Sequence, residues 1–132
     1  MRRAHAWIGL GFAAVFAATG AYMQFSFPEL HGDDMGTRMM YRSAHVYILL
    51  AALVNVALAI YWRPAKRRRL QAIGSWLVLL APLVLTTAFF VEPAPDRLDR
   101  PLSLAGVVLV AAGVGLQALS GRASQECPDR DS

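Results

Sequence analysis

Residues 43–69 read SAHVYILLAALVNVALAIYWRPAKRRR. From 43 to 62 there is no Asp, Glu, Lys or Arg. Arg63, Lys66, Arg67, Arg68 and Arg69 then follow within one short stretch that holds no acid. At about 1.5 Å of rise per residue, the charge-free part is long enough as a helix to cross a hydrocarbon layer of about 30 Å. The cations that close it have the composition of a loop held on the cytoplasmic side by the positive-inside rule.

The same pattern recurs on either side. Charge-free stretches also lie at 4–28, 70–91 and 101–121. The chain has 132 residues, 56% of them hydrophobic, and a mean hydropathy of +0.40. Soluble domains lie nearer 45–50% apolar. The expected fold is an all-α membrane protein. Four transmembrane helices, over about 5–25, 37–62, 70–91 and 102–120, form one domain of residues 1–121. Short connections make neighbouring helices antiparallel, so the expected architecture is an up-down-up-down bundle. Residues 122–132 are polar and are expected to be a disordered cytoplasmic tail.

The net charge of +4 and pI near 9.8 do not point to nucleic acid, because the excess sits in the 63–69 loop between two spans. In that place Arg63, Lys66, Arg67, Arg68 and Arg69 are a topology signal and a contact for anionic lipid or an acidic partner. The loops around 29–42 and 92–100 carry nearly balanced charge. With the basic loop inside, four crossings place both termini in the cytoplasm, and Arg2 and Arg3 agree. The expected location is the plasma membrane, in particular a bacterial inner membrane. An alternative for the first span is a cleaved signal peptide, with Thr19-Gly20-Ala21 as the small-residue site. The lone Cys127 excludes an intrachain disulfide and a cysteine-based zinc site.

Small residues mark the packing faces. On the first helix these are Gly9, Ala13, Ala17 and Gly20. On the fourth, Gly106, Gly113, Gln117 and Ser120 share a face, with Ala111 and Gly115 as a further pair. Asn55, Ser75, Thr86 and Gln117 are expected in the bundle interior, Asn55 near mid-bilayer, because an amide or hydroxyl in hydrocarbon needs a partner. Pro82 removes a backbone donor and should bend the third helix, with Thr86 or Thr87 serving carbonyls near the bend.

No nucleophile elbow, metalloprotease helix, phosphate loop or dinucleotide fingerprint is present, and no acid or base lies in the core of a span. The expected role is therefore a non-enzymatic accessory or self-associating module, as a homo-oligomer or in a larger membrane complex. A small oligomeric transporter or channel lined by Asn55, Ser75, Thr86 and Gln117 is one alternative. Metal or haem handling is the other. In the first external loop His31, Met35, Met39 and His45 combine imidazole and thioether, which suits copper. The competing reading of that loop is an amphipathic entry to the second helix, with Arg38, Arg42 and His45 on one stripe.

Arg2-Arg3-Ala4-His5-Ala6-Trp7-Ile8-Gly9, with Thr19-Gly20 further on, resembles the opening helix of PepSY-type and b-type cytochrome membrane proteins. The resemblance covers about one helix and implies a histidine near a helix end that can bind haem. This chain departs from the pattern, since His31 and His45 fall on the opposite side from His5. A bis-His haem within one chain is thus not expected, and the alternative for His5 is contact with lipid headgroups.

Overall fold

The structure, a computed structural model, describes residues 1–30, 34–63, 65, 67–93 and 99–122. It is all-helical, with α1 (Arg2–Leu30), α2 (Met35–Ile60), α3 (Arg68–Val91) and α4 (Pro101–Arg122). All four are long and apolar enough to cross a membrane. α1 runs further at both ends than the sequence pattern delimits, taking in Arg2 and Arg3 at its start and residues 26–30, with Pro28 and Glu29, at its end. The polar tail, from residue 123 onward, lies outside the described residues.

Local chemistry sets the helix ends. Asp34 caps α2, its carboxylate accepting from the backbone N–H of Thr37 at 3.2 Å and from the Thr37 hydroxyl. Pro101 opens α4, where a missing N–H costs nothing. The Glu92 carboxylate, just past α3, accepts from the N–H groups of Leu102 and Ser103. It thereby satisfies two of the amides a helix start leaves unpaired, and its charge suits the positive end of the helix dipole.

Contacts between consecutive helices run in opposite order along the two helices of each pair. His5 meets Asn55 while Thr19 meets His45. Asn55 meets Val78 while the rings of Tyr41 and Phe89 lie 5.1 Å apart. Gly74 abuts Gly113 while Leu85 abuts Gly106. α1 packs chiefly on α2 and α4 on α3, and α2 against α3 joins the two pairs. Among the described residues α1 and α4 do not touch. The core between the pairs is Ile48, Ala51, Ala81, Leu85 and Phe89.

Glycine makes the α3–α4 approach possible. A Cβ on Gly113 would stand 2.5 Å from Val78 and 2.8 Å from the Gly74 carbonyl, so the two backbones are in direct contact. Of the two small-residue faces read on α4, the one holding Gly106, Gly113 and Ser120 is buried. Ala111 faces outward, and nothing lies near Gly115. Large apolar side chains such as Trp7, Phe25, Leu104 and Phe90 are exposed around the helices, a surface suited to lipid.

Candidate functional site

The best-built polar feature is a layer that joins three helices. Pro82 has no N–H, so the carbonyl of Val78, four residues earlier, loses its helical partner. Asn55 of α2 replaces it: its Nδ2 donates to Val78 O at 3.1 Å and to Ala51 O at 2.9 Å. Both amide hydrogens are thus used, and Asn55 Oδ1 is left as an acceptor. His5 of α1 lies 2.8 Å from that oxygen through Nδ1, so the ring nitrogen donates. Asn55 and His5 are both fully buried. The sequence pattern places the donor for this bend at Thr86 or Thr87. Thr87 instead bonds Leu83 O at 3.0 Å on its own helix, and the buried Thr86 hydroxyl has no partner among the described residues.

The His5 side chain is not open to headgroups, as the sequence alone suggests, but buried. It is sealed by Asn55 and by Trp62, whose ring centre is 5.7 Å away. Asn55 in turn lies level with the opening turns of α1 and one turn and a half from the end of α2, not at the centre of the spans. His45 mirrors His5 further along the same interface. The Thr19 hydroxyl lies 3.0 Å from both Val15 O and Phe16 O and shares a hydrogen bond of 2.9 Å with His45 Nδ1. Phe16 stacks on the His45 ring with centres 3.9 Å apart. In His5, Nδ1 donates to the Asn55 oxygen, so the neutral ring carries its lone pair on Nε2. His5 Nε2 is buried without a partner among the described residues. Ten residues of α2 separate Asn55 from His45, about 15 Å of rise, so one ion cannot reach both rings.

Of the residues read as a metal set, the three that are described, Met35, Met39 and His45, are not brought together. His31 lies outside the described residues. Met35 and Met39 are 69% and 64% exposed, whereas His45 turns toward α1. With Met35 already in the helix, ten positions before His45, those two are also about 15 Å apart along the axis. Among the described residues no three His, Cys, Asp or Glu side chains cluster as metal ligands would.

A second polar layer lies between α3 and α4. Gln117 Nε2 donates to Ser75 Oγ at 2.7 Å and to Gln71 O at 3.1 Å. Gln71, which sequence reading passed over, uses its own amide to hold the loop. It donates to Arg63 O at 2.7 Å and accepts from Ala65 N at 3.2 Å. Beside it a cavity of about 470 Å³ opens between the ends of α2 and α4, with Trp62, Arg63, Gln117 and Val114 in its wall. Arg63, Arg67, Arg68 and Arg69 are exposed and, among the described residues, face no carboxylate. Lys66 lies outside the described residues.

The opposite end carries the other missed residue. Glu92 is buried and accepts from the Ser103 hydroxyl besides capping α4. Arg100 Nε stands 3.7 Å from Glu92 Oε2, and the guanidinium donates to Ser43 Oγ, Met40 O and Ser103 Oγ. The near-balanced charge of the 92–100 loop was the available signal. The pairs suggested by adjacency, Asp96 with Arg100 and Asp99 with Arg97, involve residues 96 and 97, outside the described residues.

Comparison with known protein families, with curated proteins and with solved structures returned no match. Any functional reading therefore stands on the geometry alone.

Proposed function

We propose that this chain is a non-enzymatic membrane module that works as an accessory or self-associating part of a larger assembly. It crosses a bacterial inner membrane four times, up-down-up-down, with both termini in the cytoplasm. One observation carries the reading: His5, Asn55, Ser75 and Gln117 spend their hydrogen bonds joining one helix to the next. The outward faces of α1 and α4, which do not meet each other, supply surface for association, with small residues at Gly11, Ala14 and Ala18 and at Ala111 and Gly115. The orientation rests on the 63–69 cations. Cysteine crosslinking in membranes tests it, with Ala14→Cys or Gly115→Cys placed in a Cys127→Ser background. A crosslinked dimer or one stoichiometric partner is expected. A chain that crosslinks to nothing and purifies alone from mild detergent would end the proposal.

The transporter alternative fits less well, because Ser75 and Gln117 bond each other while Asn55 bonds the α3 backbone. Metal or haem handling keeps one favourable observation, the His5 Nε2, which has no hydrogen-bond partner among the described residues; because His5 is fully buried, α1 and α2 would have to part for an ion or haem to reach it. Metal content of protein purified without chelator decides this. Near one metal per chain, lost on His5→Ala or His45→Ala, would favour it over the accessory role.

A further inference from the structure

We propose that the cleft between the ends of α2 and α4 holds one anionic phospholipid, its phosphate on Arg63 and an acyl chain along Leu58, Val114 and Ala118. The proposal rests on the membrane-spanning reading and is independent of the accessory role.

The cleft exists because α2 and α4 make only slight contact, being separated by α3. It encloses about 470 Å³, and its wall changes character along its length, apolar at Leu58, Val114 and Ala118 and polar at Arg63 and Gln117. Such a wall fits an amphipathic guest better than a free ion. Trp62 lies at the join, in the position aromatic residues take at a bilayer surface. Arg63 is not a loose surface cation, because Gln71 fixes its backbone from below. The Gln117 amide hydrogens are already engaged with Ser75 and Gln71, which leaves Arg63 as the group that recognises charge.

Charge complementarity selects the ligand. Among the described residues no acid stands at this end, and Arg67, Arg68 and Arg69 raise the local potential further. The hollow at the other end, about 230 Å³ beside Tyr47 and Val107, also holds an arginine. There Arg100 is met by Glu92, so that hollow offers an anion no net charge.

The test uses the full chain with Trp62 as sole tryptophan (Trp7→Phe, Trp76→Phe), reconstituted in phosphatidylcholine vesicles. Brominated phosphatidylglycerol or brominated phosphatidylcholine is added at equal, small mole fraction. Trp62 quenching is expected to favour phosphatidylglycerol about fivefold. Arg63→Gln should abolish most of that preference, while Arg38→Gln at the other end should leave it intact. Circular dichroism checks that each variant is folded, which the exposed position of Arg63 favours. Equal quenching by the two lipids would overturn the proposal. So would a preference that survives Arg63→Gln and falls only when Arg67, Arg68 and Arg69 are neutralised, since that is diffuse attraction. Loss of the preference on adding inorganic phosphate at constant ionic strength would assign the cleft to a free anion and equally overturn it.

Discussion

The two ends of the molecule use arginine in opposite ways. At the end formed by the start of α2, the end of α3 and the start of α4, Arg100 is half-buried. It is held by Glu92, Ser43, Ser103 and the Met40 carbonyl. At the other end Arg63, Arg67, Arg68 and Arg69 stand exposed with no carboxylate among the described residues. The first arrangement ties helices together. The second leaves charge free to act on whatever lies outside, first of all a membrane surface. A cation's partner, more than its presence, decides whether it is structural or available.

The difference can be broken most forcefully at Glu92. Glu92→Ala strips the α4 start of its cap and leaves Arg100 without its counter-charge, a loss of about 3 kcal/mol. It should appear as a clear drop in unfolding midpoint by circular dichroism in mild detergent. Asn55→Ala, in the layer just inside the arginine end, should cost about 1–2 kcal/mol in the same assay, because His5 and the Val78 carbonyl both lose a partner. Pro82→Ala sharpens this result, since an N–H restored at 82 gives Val78 O its helical bond. In that background Asn55→Ala should cost less, with a coupling of about 0.5–1 kcal/mol. Additive losses would mean that Asn55 does not serve the proline gap. Replacing Arg67, Arg68 and Arg69 by Gln should change stability by less than about 0.5 kcal/mol. A loss as large as that of Glu92→Ala would show that the exposed cations are structural after all.

Much of this was legible in the chain itself, and what was not has a common cause. Charge-free runs reveal the spans because desolvated charge is too costly to leave in hydrocarbon, and that holds residue by residue. Asn55, Ser75, Thr86 and Gln117 were legible as candidates for the interior for the same reason. Their partners were not, because a partner depends on how far one helix slides along its neighbour. The Pro82 gap points in sequence to Thr86 or Thr87, yet its donor comes from Asn55 on another helix. His5 reads as a surface residue until α2 brings Asn55 beside it. Met35, Met39 and His45 look like neighbours in the sequence, and helical rise moves the outer two apart. Glu92 looks like a loop charge until it folds onto the start of α4.

The proposed topology requires the two ends to face opposite sides of a bilayer, and site-specific thiol labelling tests that requirement most directly. The native Cys127 marks the tail beyond α4, and Gly36→Cys in a Cys127→Ser background marks the exposed start of α2. With a membrane-impermeant maleimide on intact bacterial spheroplasts, position 36 should label at once, and Cys127 only after permeabilisation. Labelling of Cys127 in intact spheroplasts, with position 36 protected, would put the arginine end outside and contradict the orientation on which the comparison rests.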